Sequence, residues 1–225
     1  MSTEKIIEYY NQLASDYDEN RFGNSYGQFI DFLERKILNK IFKTKSNKVL
    51  DLACGSGRLS NYATSGADAS EEMLKIAKKK FPKNEFFLAQ SNQLPFENES
   101  FERCFTFHFI MHLNKENFEK TINEVHRILS KNGTFVFDIP VKNRRKILNQ
   151  SKADWHAALS FDQKEIEKLI NNKFEIKRKF GILFIPIHRI PTQFRKFFLT
   201  FDFLLSNFGL LKNFSSYHIY ELKKL

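Results

Sequence analysis

Val49-Leu50-Asp51-Leu52-Ala53-Cys54-Gly55-Ser56-Gly57-Arg58-Leu59-Ser60 is the stretch whose reading decides the fold. An apolar strand runs into a loop with glycines at 55 and 57, and residues able to start a helix follow at once. Such a loop brings bare backbone N–H groups close to a ligand, because glycine has no Cβ to hold the ligand away. Asp51 sets one carboxylate at the strand end, and Asp68, thirteen residues after Gly55, sets another within Gly66-Ala67-Asp68-Ala69-Ser70. The loop narrowly misses the dinucleotide fingerprint. Ser60 occupies its third glycine or alanine position, and Asp68 comes sooner than the roughly twenty residues that a ribose-binding acid takes there. No Lys-Ser/Thr pair follows, so a P-loop is excluded. The bland alternative is a glycine turn that holds no ligand.

A chain of 225 residues with 42% apolar content and 26 phenylalanines has enough material for one domain with a full core. No apolar run approaches the roughly 18 residues needed to cross a bilayer. Met1-Ser2-Thr3-Glu4-Lys5 is polar and leads into an amphipathic segment, unlike a signal peptide. Two cysteines, one inside the glycine loop, make no disulfide framework, so a reducing cytoplasm is the expected compartment. The net charge of +10 comes from lysines spread along the chain, with clusters at 75–80, 144–146 and 177–179. That balance fits solvated helix surfaces as well as an anionic partner, and no arginine-rich stripe or nucleic-acid module accompanies it.

Along the chain, the pattern predicts a first helix over 4–20, a polar turn at 19–24, and a second helix over 27–43 with Ile30, Leu33, Ile37 and Ile41 at helical spacing. Strands follow at 48–52 and 66–68, with only a short helix between them. Ser70 is an N-cap for a helix that ends in lysines before Pro82. Further strands are expected at 85–89 and 101–109, then a helix capped by Asn114 and closed by Asn132-Gly133, then a strand at 134–139. Beyond 141 come a basic loop with Trp155-His156, a helix over 162–171, and late strands at 174–180 and 216–222. This alternation predicts an α/β fold: a Rossmann-like, doubly wound, seven-stranded and mostly parallel sheet, with an N-terminal helical cap and a helical insertion before the last strand. The expected organisation is a single domain over 1–225. A cap occupies 1–45, a binding core 46–140, and a substrate-side part 141–225 that carries an aromatic lid at 182–214.

Residues 49 to about 140 resemble the class I S-adenosylmethionine (SAM)-dependent methyltransferases of the type 11, ubiquinone/menaquinone-biosynthesis-like branch. Five ordered motifs carry the resemblance: the glycine loop, Asp68, Gln90-Ser91-Asn92-Gln93-Leu94-Pro95-Phe96, Phe107-His108-Phe109-Ile110-Met111-His112-Leu113, and Glu124-Val125-His126-Arg127-Ile128-Leu129-Ser130-Lys131-Asn132-Gly133. The resemblance implies that Asp51, Ala53, Cys54, Gly55 and Gly57 hold the amino-acid end of SAM. Asp68, with Ala69 beside it, would accept hydrogen bonds from the two ribose hydroxyls. Met73, Gln90, Ser91 and Asn92 would surround the adenine, and Phe107 would line the methyl-donor pocket. Tyr9-Tyr10-x-x-x-Ala14-x-x-Tyr17-Asp18 is similar to the helix that caps SAM in many relatives, which makes Tyr17 and Arg21 lid residues. Three departures stand out: Gln90 replaces an acid, Ala53 replaces a glycine and calls for a negative φ, and the interval to Asp68 is shorter than usual.

Methyl transfer from a sulfonium needs an in-line nucleophile and a dry site, and a base only where a proton must leave. His112 is the first candidate base and His108 the second. Their four-residue spacing lacks a zincin glutamate and a third ligand, so no metal is expected. The expected function is SAM-dependent transfer of methyl to a small, bulky and apolar acceptor, releasing S-adenosylhomocysteine. The alternatives are a tRNA-modifying methyltransferase and a SAM-binding protein without catalysis. Phe194, Phe197, Phe198, Phe201, Leu204, Leu205 and Phe208 form an apolar stripe that reads as a roof over the site, a membrane contact or core. The sequence leaves the oligomeric state open.

Overall fold

A computed structural model describes residues 3–142, 161 and 163–225. The Trp155-His156 loop and the basic cluster at 144–146 lie outside the described residues. Seven strands form one sheet in the order β3-β2-β1-β4-β5-β7-β6. They are β1 (Val49–Leu52), β2 (Ser65–Asp68), β3 (Glu85–Leu88), β4 (Phe101–Thr106), β5 (Leu129–Pro140), β6 (Phe174–Ile182) and β7 (Tyr217–Lys224). The first five run parallel, and β7 lies antiparallel between β5 and β6.

Helices cover both faces, which is why β1 is buried along its whole length, Asp51 included. The period-two alternation of β5 sorts its side chains. Phe135 and Phe137 pack with α4 (Lys115–Ile128) and α5 (Gln163–Ile170), whereas Val136 joins α2 (Ser25–Ile41) on the opposite face. Phe118, Ile122 and Val125 supply the buried stripe of α4; Phe29, Leu33 and Ile37 supply that of α2. Local chemistry fixes the helix starts. The side chains of Asn24, Ser70 and Asn114 accept N–H bonds from the first turns of α2, α3 (Glu71–Lys80) and α4.

The N-terminal segment departs from the predicted 4–20 helix. α1 spans Thr3–Leu13, a tight turn follows at Ala14–Asp16, and a widened helical turn fills Glu19–Gly23, where a polar turn was expected. Gly27 permits this packing, since a Cβ there would sit 2.0 Å from the Arg21 carbonyl oxygen. Asn132-Gly133 does not close α4 either. The helix stops at Ile128, and the pair lies inside β5, where a register irregularity takes up the left-handed Asn132 at φ 64°.

Between β1 and β2 the helix of a doubly wound fold is reduced to one turn, Ser60–Tyr62. The short interval therefore removes helix and not strand. β2 keeps its parallel register on β1, with Leu52 opposite Ala67, so Asp68 emerges beside the glycine loop. The loop winds through three left-handed residues, Ala53 (φ 53°), Gly55 (φ 53°) and Gly57 (φ 80°). Gly57 also lies against α3, where a Cβ would come within 3.1 Å of the Ala77 methyl. The negative φ expected of Ala53 is thus not found. β1 ends where the chain must turn under Asp68, and the turn imposes the left-handed geometry whichever residue occupies it.

The segment between β6 and β7 forms the helical insertion, with turns at Ile187–Arg189 and Thr192–Arg195, then α6 (Phe198–Asn207), then a turn at Gly209–Phe214. It packs on α2 and β6. No helix among the described residues is long and apolar enough to cross a membrane.

A left-handed alanine costs roughly 1–2 kcal/mol, and a glycine returns roughly 0.5–1 kcal/mol of that through its freer unfolded chain. Ala53→Gly is therefore expected to stabilise the fold by about 0.5–1 kcal/mol, read as a melting temperature higher by about 1–4 °C. A lower melting temperature would contradict the left-handed assignment.

Candidate functional site

Beyond the carboxyl ends of β1, β2 and β4 lies a cavity of about 660 Å³. Its floor comes from the sheet side: Leu52, Ala53 and Gly55 from the loop, Asp68, Ala69 and Ser70 from the β2 end, and Met73 from α3. Gln90, Ser91 and Asn92 form one wall, Phe107, His108, Phe109 and His112 another. Ile6, Ile7 and Tyr10 of α1, with Tyr17, close it from above. No residue of 182–214 lines it, so the aromatic segment is not its roof; the N-terminal helix is. The size lies within the usual range for small-molecule sites.

Asp68 ties the floor together. Its Oδ2 accepts from the Gly55 N–H at 2.7 Å and its Oδ1 from the Ser70 N–H at 2.8 Å. Burial raises its pKa, and these backbone donors act against that rise. The Ala69 N–H adds a third backbone donor to this carboxylate. At Gly55 a Cβ would meet nothing nearer than the Met73 sulfur at 4.0 Å, so the glycine leaves backbone open to the cavity. A polar cradle at one end, an acceptor pair at the centre and a Met/Phe/amide pocket beyond together suit an amino-acid–ribose–base ligand such as SAM.

The wall at 90–98 is held from behind. Glu124 accepts from the Leu94 N–H, while Arg127 donates to the Leu94 and Phe96 carbonyls and to Asn98. The Glu-x-x-Arg motif is therefore a clamp on this wall and touches no cavity. Ser91 bonds Thr121 of α4 at 2.8 Å. The cap is pinned at two points, Ser70 Oγ to Asn11 and Ser56 Oγ to Asp18, and Lys80 also pairs with Asp18. Tyr17 packs edge-on against Tyr10, and burial raises the pKa of both phenols.

Four of the residues expected at the cofactor lie off the main cavity. Arg21 is exposed and reaches the site only through its hydrogen bond to Tyr17. Asp51 and Cys54 line a minor recess of about 50 Å³. Asp51 is buried and accepts from Ser60 Oγ at 2.8 Å, and burial pushes its carboxyl up to about 7. Gly57 packs against α3. The other expected residues, Tyr17, Ala53, Gly55, Asp68, Ala69, Met73, Gln90, Ser91, Asn92 and Phe107, all line the cavity.

The two histidines differ sharply. His112 follows a tight turn at Ile110–His112, lines the cavity and meets the Tyr10 hydroxyl through Nε2 at 3.1 Å. His108, left-handed at φ 56°, stands between two acids. Its Nε2 lies 2.7 Å from Glu34 Oε1, its Nδ1 lies 3.7 Å from Asp138 Oδ2, and its backbone N–H donates to Asp138 Oδ1. Arg58 pairs with the other Glu34 oxygen at 2.7 Å and with Asp31 at 2.5 Å. Burial alone would depress the His108 imidazolium, but Glu34 and Asp138 outweigh it and raise the pKa. Burial likewise works against ionised Glu34, yet His108 and Arg58 hold its carboxyl down at about 2. Burial leaves Asp138 at about 6. His108, Glu34 and Asp138 bring ligand atoms within 4.8 Å of one another. Arg58 places a compensating positive charge beside them. The two histidines share no helix.

Glu34, Asp138 and Arg58 were not among the expected site residues. Glu34 was visible as an acid on the apolar stripe of α2, four residues after Ile30, and Asp138 as an acid inside a β-rich run. What no local pattern carries is their meeting at His108.

Glu34→Ala removes the buried carboxylate that Arg58 and His108 share, leaving Arg58 only Asp31 and His108 only Asp138, and the expected loss is about 3–5 kcal/mol at neutral pH. The Glu34 pKa is depressed below the ordinary value of about 4.3, so its stabilisation is complete above that pH and is lost as pH falls towards 2. Denaturant titrations of both proteins over that range should therefore converge towards low pH. A loss under about 1 kcal/mol at neutral pH would show that the pair is not buried as described.

Residues 50–137 match the methyltransferase domain family. An uncharacterised protein of Methanocaldococcus jannaschii, MJ1252, is 38% identical over 60% of this chain and 51% of its own length. The ubiquinone/menaquinone biosynthesis C-methyltransferase UbiE of Campylobacter jejuni is 30% identical over 59% of this chain and 62% of its own length. The chain thus spans between half and three-fifths of these relatives. The crystal structure of magnesium protoporphyrin IX methyltransferase (ChlM) from Synechocystis with bound SAM superimposes with a TM-score of 0.68 at 16% identity, covering 100% of this chain and 98% of that one. The fold is shared.

Proposed function

We propose that this chain transfers the methyl group of SAM to a small-molecule acceptor and releases S-adenosylhomocysteine, a reading supported by the match of residues 50–137 to the methyltransferase domain family. The observation that carries this reading is the Gly55–Asp68 cradle opening on a cavity with apolar and amide walls. SAM supplies an electrophilic methyl group on a sulfonium whose charge disappears on transfer. What remains for the protein is to orient two ligands and exclude water. Asp68 offers two acceptors to the ribose hydroxyls, the loop N–H groups face the amino-acid end, and Met73 with Gln90 flanks the base. α1 and Tyr17 keep solvent out.

Where the acceptor carries a proton, His112 is the residue to take it. It faces the cavity, and Tyr10 fixes its ring. His108 stands between Glu34 and Asp138, which raise its pKa, so its part is to present a fixed polar wall. The relative from Campylobacter, named as a ubiquinone/menaquinone biosynthesis C-methyltransferase, puts hydroquinone rings first in a panel of acceptors. Ile6, Ile7 and Phe109 give the cavity an apolar side suited to such rings.

Asp68→Ala removes hydrogen bonds to a charged group, worth roughly 1.5–3 kcal/mol. Calorimetry is expected to show SAM and S-adenosylhomocysteine binding weakened by about 10- to 100-fold. Unchanged affinity would remove the cradle from the reading. His112→Ala is expected to leave SAM affinity within about threefold and to lower labelled-methyl transfer to a hydroxyl-bearing acceptor by at least about 100-fold. Full activity in that variant would exclude His112 as the base.

A further inference from the structure

We infer that the insertion between β6 and β7 is a docking surface for an anionic lipid bilayer. α6 is amphipathic in the inverted sense. Its polar residues, Asp202, Ser206 and Asn207, face the protein, where Asp202 accepts from the Leu183 and Ile185 N–H groups, Ser206 from that of Phe184, and Asn207 pairs with Gly181. Its apolar residues Phe201 and Leu204 face outward, continuous in sequence with Phe197 (82% exposed), Phe208 (73%) and Leu210 (81%). Polar inward bonding fixes this orientation, so the exposed aromatics are not a helix that failed to find its core. Contiguous exposed apolar surface of this kind marks an interaction site.

Charge selects the occupant. Between Leu183 and Ser216 the chain has four basic residues, Arg189, Arg195, Lys196 and Lys212, and a single acid, the buried Asp202. The positive field extends on to α2, where Lys36 lies 4.4 Å over the Phe203 ring and 5.9 Å over the exposed Phe32. Two copies meeting through this face would set the same cations against each other. A bilayer surface answers both features at once: the interfacial region takes the aromatic rings, and anionic headgroups meet the lysines and arginines. With ten residues α6 is about 15 Å long, half the hydrocarbon thickness of about 30 Å, so the helix lies on the membrane and does not cross it.

Flotation of the whole chain with vesicles tests this. With phosphatidylcholine vesicles containing about one-third phosphatidylglycerol at low salt, most of the protein should float. Pure phosphatidylcholine or high salt should lower the bound fraction by at least about tenfold. The double variant Phe197→Ser/Leu210→Ser and the charge variant Arg189→Glu/Lys196→Glu alter exposed side chains. Both should keep the wild-type melting temperature and SAM affinity while losing flotation by a similar factor. The inference is overturned if the wild-type chain stays in the soluble fraction with the anionic vesicles, or if pure phosphatidylcholine binds it equally. It is likewise overturned if both variants still float, or if sedimentation shows a dimer that the same variants dissociate while no vesicles bind. Since SAM affinity is read separately, failure here leaves the methyltransferase reading standing.

Discussion

A carboxylate gripped by two backbone N–H groups sits where β1 and β2 end side by side. Asp68 draws Gly55 back under its own strand and caps the approach to α3 through Ser70. The loop can close this way only by taking left-handed turns at 53, 55 and 57, and two of those three positions carry the residue that does so without strain. Everything above the sheet ends is then hung on the same corner. Ser70 also bonds Asn11 of α1, and Ser56, next to Gly55, bonds Asp18, so the cap rests on the very residues that face the cavity. A shift in the loop would therefore loosen both floor and roof.

How much of this was legible in the sequence depends on how local the cause is. Caps at Ser70 and Asn114 involve a side chain and a backbone N–H three residues away, and both formed as read. The strands of the parallel core carry their own alternation or unbroken apolar runs, and the sheet followed. Asn132-Gly133 misled because its left-handed Asn, a helix-ending signal, is spent on a strand irregularity instead. Ala53 misled because the turn fixes φ and the residue only sets the strain. The stripe at 194–208 left three readings open: periodicity reports that one side of a helix is apolar, and only the tertiary bonds of Asp202 and Ser206 reveal that this side faces outward.

The two histidines separate for electrostatic reasons that spacing could not express. His108 is the C-terminal neighbour of β4 and is met by an acid from α2, 74 positions earlier, and by another from β5, 30 positions later. An imidazole bracketed in this way has its pKa raised by the two acids, which suits orientation and not proton abstraction. His112 lines the cavity and meets the Tyr10 hydroxyl instead of an acid.

The charge cluster itself runs against economy of stability. Glu34, Arg58, His108 and Asp138 are taken largely out of water, and well-packed apolar residues in such places commonly give an equal or more stable fold. Nor does the cluster join distant parts that lack other contacts, since α2 already packs on the sheet through Phe29, Leu33 and Ile37. What an apolar replacement could not supply is an imidazole fixed in position and charge at the cavity wall, with its backbone in a sparsely populated left-handed conformation. Strain and buried charge falling on one residue, beside the cavity, is the pattern expected where stability has been traded for a site.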